Sequence, residues 1–324
     1  MIERKFKKAI NKIGIAMILF FAFINVFVFI QSEISVFLGK LLPYDIAYII
    51  SKLLYGLAYF ASFVIPGCIL YFMNRKNEKE GSLLAPVLPS PVKTAAYIFA
   101  SITMIIAMAV INAKLVSIFN YSEYSSEYIW GNESLQEYQV ILTFITSALI
   151  PAFAEEFLFR GAILSALRPY GKAPAIIISA VLFGLMHQNA EQLLYATAAG
   201  LILATVVYET GSVWCSVLIH FFNNFSKVLK NEILERFPTN ISYPLYYAIE
   251  GLIFILGFAS IVYLIVSRGK NKRTVKVEET EENDVPAKSI AKHFFSSPTI
   301  LIFLIISVIM MMIHIFLSIL NSIL

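Results

Sequence analysis

Six polar residues stand in stretches of this sequence that are otherwise apolar enough to lie in lipid. They form three motifs: Glu155-Glu156 with Arg160, His187 four residues after Phe183, and His220 with Asn224. A charged side chain at mid-bilayer costs several kcal/mol, so such residues usually face the interior of a helix bundle and serve a function. These six residues are therefore the candidates for a functional site.

Hydrolysis of an amide bond is the chemistry that these residue types suit. Glu155, assisted by His187, would remove a proton from water as a general base. His220 and Asn224 would donate hydrogen bonds to the oxyanion that forms, and such donors contribute about 3–4 kcal/mol each in the transition state. Two histidines and a carboxylate are also the ligand types of a catalytic zinc site. Glu155, His187 and His220 therefore stand as an alternative, metal-binding set, although no H-E-x-x-H motif is present.

The two adjacent carboxylates are expected to have different roles. Glu156 and Arg160 are four residues apart and share a helix face, whereas Glu155 is rotated by one residue from its neighbour. We therefore predict that Glu156 pairs with Arg160 in a supporting role, which leaves Glu155 to accept a proton. The structural alternative is that a buried Glu–Arg pair only locks two helices together.

The composition indicates that these motifs lie on membrane-spanning helices. The chain has 324 residues, of which 59% are hydrophobic and 14% charged, and its mean hydropathy is +0.76. A hydrocarbon core about 30 Å thick requires about 20 apolar residues per helix. The sequence offers nine candidate spans: 13–31, 53–73, 94–113, 138–158, 173–187, 191–209, 212–230, 245–267 and 297–320.

The predicted fold is an all-α, polytopic transmembrane helical bundle of eight or nine spans, with a catalytic cavity inside the bilayer. The count is left at eight or nine because residues 38–52 are a candidate interfacial helix. Cys68 and Cys215 both fall within predicted spans and offer no disulfide framework, so we expect them to be packing residues. His314 stands alone in the last span and is left out of the site.

The distribution of Lys and Arg predicts the orientation. Of the 25 Lys and Arg residues, 19 fall near the N-terminus, in 74–93, in 160–172 or in 268–292, and basic residues near span ends stay in the cytoplasm. We therefore predict a multi-pass protein of the cell membrane with a cytoplasmic N-terminus. The net charge of +4 fits anionic lipid and gives no indication of nucleic-acid binding.

The depths of the three motifs are similar. Counted from the cytoplasmic helix ends, Glu155, His187 and His220 lie about 20, 22 and 14 Å along their helices, so they are expected to meet. We divide the chain into membrane spans and a cytoplasmic loop over 1–93, a six-span unit over 94–267 that contains the catalytic core at about 137–230, and a cytoplasmic linker with a last span over 268–324.

Taken in order on three helices, the motifs E-E-x-x-x-R, F-x-x-x-H and H-x-x-x-N resemble those of the CPBP intramembrane proteases. That family includes type II CAAX prenyl endopeptidases and bacteriocin-processing or self-immunity proteins, and the resemblance covers about 137–230. It implies a helical fold, cleavage of a peptide bond in a membrane-embedded or lipidated peptide or protein, and the residue roles given above. It also favours a glutamate mechanism without a cofactor, with zinc as the alternative.

A different class of function uses the same residues without catalysis. A transporter or a bacteriocin-immunity protein could employ the buried polar groups as an ion or peptide path. Transporters typically show inverted repeats or paired broken helices, and neither pattern is found in this sequence. The polar residues also share one depth, which favours a cleft over a path. We therefore expect an endopeptidase that cuts near the cytoplasmic side of the bilayer.

Overall fold

The computed structural model describes residues 2–74, 83–84, 87–118, 136–271 and 285–323. Every regular element in these ranges is a helix, as predicted. The helices are α1 Ile2–Leu41, α2 Tyr44–Asn74, α3 Pro91–Ile118, α4 Glu137–Tyr170, α5 Lys172–Met186, α6 Ala190–Thr210, α7 Val213–Arg236, α8 Thr239–Asn271, α9 Ala287–Phe295 and α10 Pro298–Ile323.

Seven helices in the described ranges are long and apolar enough to cross a membrane, namely α1, α2, α3, α4, α6, α8 and α10. The multi-pass helical bundle is therefore confirmed, whereas its orientation stays a prediction. The spans predicted at 173–187 and 212–230 correspond to α5 and α7, which are not among the seven. Helix α5 has only 15 residues, and α7 is less apolar than the seven because it carries polar residues of the candidate site.

The suggested interfacial helix at 38–52 is wrong. Helix α1 continues to Leu41 and α2 begins at Tyr44, so this stretch is the junction of two long helices. The break falls at Leu42-Pro43, where the proline ring restricts the preceding residue to extended backbone and removes a backbone N–H donor.

One end of the bundle contains the N-terminus, and we call it the N-terminal end. There the Lys12 ammonium donates to the Met73 carbonyl at 2.7 Å, which joins the start of α1 to the end of α2. The Trp214 indole, in the first turn of α7, donates to the Leu84 carbonyl at 3.1 Å. The start of α1, the end of α2 and the start of α7 thus lie at this end.

At the opposite end of the bundle, which we call the distal end, other helix termini are joined by hydrogen bonds. The Tyr138 hydroxyl at the start of α4 donates to Asp45 Oδ1 at the start of α2, at 2.5 Å. The Asn112 amide near the end of α3 donates to the Glu191 carbonyl at the start of α6, at 2.8 Å. Helix α4 therefore runs from the distal end towards the N-terminal end, and α7 runs the opposite way.

The last two helices pack against the first one. The Ser297 hydroxyl donates to Asn11 Oδ1 at 2.6 Å, and the Thr299 hydroxyl donates to the Asn11 carbonyl at 2.9 Å. Part of the 268–293 linker lies outside the described residues. The division of the chain into three units stays a prediction, and α2 from the first of them packs against α4 and reaches the candidate site.

Small residues let α5 and α6 approach closely. A Cβ atom added to Gly200 would lie 3.0 Å from the Ala180 Cα atom, and one added to Gly184 would lie 2.8 Å from the Leu193 carbonyl oxygen. Close approach of this kind is typical of helix pairs in membranes, where small residues allow backbone-to-backbone packing. The Gly200 carbonyl is consequently brought to the centre of the bundle.

The substitution Gly200→Ala should lower stability, although alanine is the better helix former. Gly→Ala inside a helix normally gains about 0.5–1 kcal/mol, but the added methyl group at this crossing would push α5 and α6 apart, and overpacking typically costs about 1–3 kcal/mol. Gly251→Ala is the matched control, because nothing lies within 4 Å of a Cβ at that helical glycine. Thermal unfolding in detergent should rank Gly251→Ala at or above wild type and Gly200→Ala below it; equal stability of the two variants would contradict the close crossing.

Candidate active site

Helix α4 carries the first motif between two widened turns. Residues Ile145–Leu149 and Phe157–Leu164 are π-helical, and the Ile150 N–H donates to the Ile145 carbonyl five residues earlier. Glu155 and Glu156 end the ordinary helical stretch between them, and Arg160 lies in the second widened turn. Single π turns inside helices are rare and occur frequently at functional sites.

Glu156 is the centre of a buried network that joins three helices. Both Glu156 and Arg160 have no exposed surface, and Arg160 Nη1 donates to Glu156 Oε1 at 2.8 Å. Arg160 Nη2 donates to the Gly200 carbonyl on α6 at 3.1 Å, and His220 Nδ1 on α7 lies 2.9 Å from the same Glu156 Oε1. The predicted Glu156–Arg160 pairing is confirmed, and the pair also fixes the His220 ring.

His220 lies between the two carboxylates. Because the Glu156 carboxylate is an acceptor, His220 Nδ1 is the donor of their hydrogen bond. The other ring nitrogen, Nε2, lies 3.9 Å from Glu155 Oε2. In the neutral ring this Nε2 atom is an acceptor, so His220 can donate to an oxyanion from Nε2 only as the imidazolium. His220 can therefore fill the expected role of oxyanion donor only while its ring is protonated.

One carboxylate oxygen of Glu155 is hydrogen-bonded, and the other is buried without such a partner among the described residues. Its Oε1 atom accepts a hydrogen bond from the Tyr59 hydroxyl at 2.6 Å, and the residue is only 4% exposed. Its Oε2 atom has no hydrogen-bond partner among the residues that the structure describes. A carboxylate oriented in this way can take a proton from a water molecule at Oε2.

His187 contributes to the site by way of Phe183. Its Nδ1 atom lies 2.9 Å from the Phe183 carbonyl, which can only accept, so the neutral His187 ring presents Nε2 as an acceptor. The Phe183 ring meets the rings of His187 and His220 edge-on, at centroid distances of 5.3 and 5.9 Å. The Arg160 guanidinium lies 4.4 Å from the centroid of the same phenyl ring. Phe183 thus contacts three of the predicted site residues.

Asn224 lies on the wall of a cavity that also contains Glu155. Asn223 Nδ2 donates to Asn224 Oδ1 at 3.3 Å, so the Asn224 NH2 group is the donor that an oxyanion role would use. The cavity has a volume of about 390 Å³, and Tyr59 and Tyr55 also line it. The other four predicted residues, Glu156, Arg160, His187 and His220, are not part of the lining, so Glu155 and Asn224 are the two that face the open space.

The sequence did not identify two contributors to the site, Tyr59 and the Gly200 carbonyl. Tyr59 lies on α2, in a part of the chain without a motif, and one tyrosine in an apolar span gives no signal of its own. The Gly200 carbonyl could not be predicted either, because every residue type supplies the same backbone acceptor.

His314 lies on α10, which does not line the cavity. Cys68 and Cys215 are free, and Cys215 is buried.

The alternative zinc set finds no support in the arrangement of its members. Within the described ranges, no group of three or more His, Cys, Asp or Glu side chains is placed to hold a metal ion. Because Glu155, His187 and His220 do not converge as a ligand set in this geometry, we derive no step through a metal.

Replacing Tyr59 by Phe should slow catalysis without unfolding the protein. The change removes one hydrogen bond to a charged group, which is worth about 1.5–3 kcal/mol, and it leaves the aromatic ring in place. We expect kcat to fall about 10- to 100-fold with little change in KM, because the hydroxyl orients Glu155. Tyr55→Phe is the control, since Tyr55 lines the same cavity but the hydrogen bond to Glu155 Oε1 comes from Tyr59. Steady-state kinetics showing equal kcat for both variants would remove Tyr59 from the site.

The arrangement of α4 to α7 can now be compared with known proteins. Residues 137–226 match the Rce1-like family of type II CAAX prenyl endopeptidases. The Rce1-like segment contains all six predicted site residues, and the resemblance drawn from the motifs is confirmed over nearly the same range.

One relative agrees with the Rce1-like match, and its alignment covers only part of the chain. A Bacillus subtilis (strain 168) protein named "Putative membrane peptidase YdiL" is 31% identical over 117 residues, which are 35% of this chain and 47% of that protein. The aligned segment thus spans about half the length of the relative. No solved structure matches the chain significantly.

Proposed function

We propose that this membrane protein is an intramembrane endopeptidase in which Glu155 activates water against a peptide bond. The observation that carries the proposal is the state of Glu155: it faces a cavity, Tyr59 fixes one of its oxygens, and the other oxygen has no hydrogen-bond partner among the described residues. The Rce1-like match at 137–226 supports the same reaction class. The substrate would be a membrane-embedded or lipidated peptide or protein.

The reaction begins with a water molecule beside Glu155 Oε2. Glu155 takes one proton as the water oxygen bonds to the peptide carbonyl carbon, and the carbonyl oxygen becomes an oxyanion. The Asn224 NH2 group donates to that oxyanion, and His220 Nε2 does so when the ring is protonated. The C–N bond then breaks, and the proton held by Glu155 passes to the departing amine. His187 Nε2, an acceptor, helps to orient the water.

Glu156 and Arg160 act indirectly in this scheme. By accepting from His220 Nδ1, Glu156 fixes the orientation of the imidazole. Arg160 balances the buried carboxylate and ties it to the Gly200 carbonyl. The pair therefore positions a group that contacts the transition state, and contacts no substrate itself.

The test is cleavage of a defined peptide panel by purified protein in detergent. The panel contains quenched fluorescent membrane peptides and the same peptides with a prenylated cysteine. Wild type should cleave at least one of them, and His220→Ala should lose activity by about 100-fold or more, as expected when an oxyanion donor is removed. If wild type and His220→Ala cleave at equal rates, the proposed site is wrong. If wild type cleaves nothing and the site variants still confer full peptide immunity in cells, a binding role replaces catalysis.

Chelation should leave the activity unchanged. Because the described residues form no metal-binding group, treatment with a strong chelator is expected to alter the cleavage rate by less than twofold. Loss of activity on chelation, followed by recovery on adding zinc, would instead make His187 and His220 metal ligands.

A further inference from the structure

The cavity beside Glu155 continues as a polar cleft along α7. Asn224, Lys227, Asn231 and Glu235 follow one another on its wall, at spacings of three and four residues that place them on one helix face. The eleven helical steps from Asn224 to Glu235 correspond to about 16 Å along the helix. We call this space the α7 cleft, and its far part reaches the last turn of α7.

The α7 cleft opens at the distal end of the bundle. Helix α7 runs towards that end, and Tyr55 and Thr143, which also line the cleft, lie on α2 and α4 between the distal helix termini and Glu155. In the other direction the interior is filled: Leu158, Phe159 and Ile163 have no exposed surface. The space beside Glu155 therefore extends towards the distal end.

Charge distribution identifies the side of the membrane on which the distal end lies. Among the residues that the structure describes, most Lys and Arg side chains belong to helix termini at the N-terminal end, including Arg4, Lys12, Lys93, Arg168, Lys172 and Lys292. Because basic residues flanking spans are retained in the cytoplasm, the distal end and the mouth of the α7 cleft face away from the cytoplasm. The earlier expectation of a cut near the cytoplasmic side came from depths along helices, which do not show where space is left open.

We infer that the substrate reaches Glu155 through the α7 cleft from the extracytoplasmic side. The substrate class is then an exported peptide, or a membrane segment exposed in the outer leaflet, and not a protein tail presented from the cytoplasm. Lys227 and Asn231 supply donors along the cleft for the carbonyl groups of an extended peptide. This inference rests on the proposed endopeptidase function, and it adds the direction from which the peptide bond arrives.

Cysteine labelling in intact cells tests the orientation of the cleft without any need for proteolysis. In a Cys68→Ala, Cys215→Ala background, Asn231→Cys places a thiol on the exposed part of the cleft, and Ala173→Cys places one at an exposed position of the N-terminal end. A membrane-impermeant maleimide should label Asn231→Cys at least tenfold more than Ala173→Cys in intact cells, and both after permeabilisation. The reverse pattern would overturn the inference. Glu235→Cys is the second cleft position if Asn231→Cys is not expressed.

Blocking the cleft tests whether the substrate uses it. Attachment of a bulky maleimide to Asn231→Cys should reduce cleavage of the best panel peptide by at least tenfold, while the same adduct on Ala173→Cys should change it by less than twofold. Full activity of the Asn231→Cys adduct would overturn the inference although the proposed function survives. Absence of cleavage by every unlabelled protein would instead refute the proposed function, and the labelling pattern would still decide the orientation.

Discussion

Arg160→Met should destabilise the protein more than any other single substitution in the site. Arg160 and Glu156 are both fully buried, and a 2.8 Å charged hydrogen bond joins them. Removing the guanidinium leaves the Glu156 carboxylate without its cation, and breaking a buried ion pair from one side costs about 3–5 kcal/mol. We expect most of the Arg160→Met protein to aggregate in detergent, as measured by size-exclusion chromatography and thermal unfolding.

Two controls separate the buried charge from other effects. Arg236→Met removes the cation of a more exposed i,i+4 pair with Glu232, and exposed pairs contribute about 0–1 kcal/mol, so its unfolding temperature should stay near that of wild type. The double variant Glu156→Gln with Arg160→Met removes both charges and should recover most of the lost stability. If the double variant is no more stable than Arg160→Met, side-chain packing is responsible instead of the unpaired carboxylate.

Glu155→Gln should abolish cleavage while leaving the fold intact. The amide keeps the shape of the side chain, and its oxygen can still accept the Tyr59 hydrogen bond, but it cannot take a proton from water. General base catalysis contributes about 10²–10⁴-fold, so we expect kcat to fall by about 1,000-fold. Initial rates on the best panel peptide and the unfolding temperature are the two measurements.

A glutamate remote from the cavity provides the matched control for this substitution. Glu250 on α8 accepts a hydrogen bond from Tyr246 and lies outside the cavity, so Glu250→Gln should keep wild-type rates. Glu155→Gln that retains more than a tenth of the wild-type kcat, with an unchanged unfolding temperature, would show that another group accepts the proton.

The parts of the site that the sequence predicted are those that local spacing determines. Glu156 and Arg160 meet because they are four residues apart on one helix, and their meeting required no knowledge of the other helices. The membrane setting also made every charged residue in an apolar span conspicuous. The catalytic roles of the six residues stay predictions, since neither the geometry nor the partial Rce1-like match tests them.

The parts that the sequence could not predict depend on contacts between distant helices. Tyr59 is 96 positions from Glu155 in the chain, and nothing in its surroundings distinguishes it from other aromatic residues in spans. Phe183 lies beneath the Arg160 guanidinium and beside both imidazoles, contacts that its position four residues before His187 does not predict. The position of the cleft mouth depends on where the packed side chains leave open space. That depends on how all the helices pack together, so no single segment of the sequence predicts it.

The widened turns of α4 make the site sensitive to changes in chain length. A π turn accommodates an additional residue without interrupting the helix, and each residue of an ordinary helix advances the direction of the side chain by about 100°. Deleting one residue within Phe157–Leu164 would let that turn relax to ordinary geometry and rotate Glu155 relative to the part of α4 that follows. A single-codon deletion or insertion could therefore disable or recreate the site in a related gene, while all six of its side chains remained encoded.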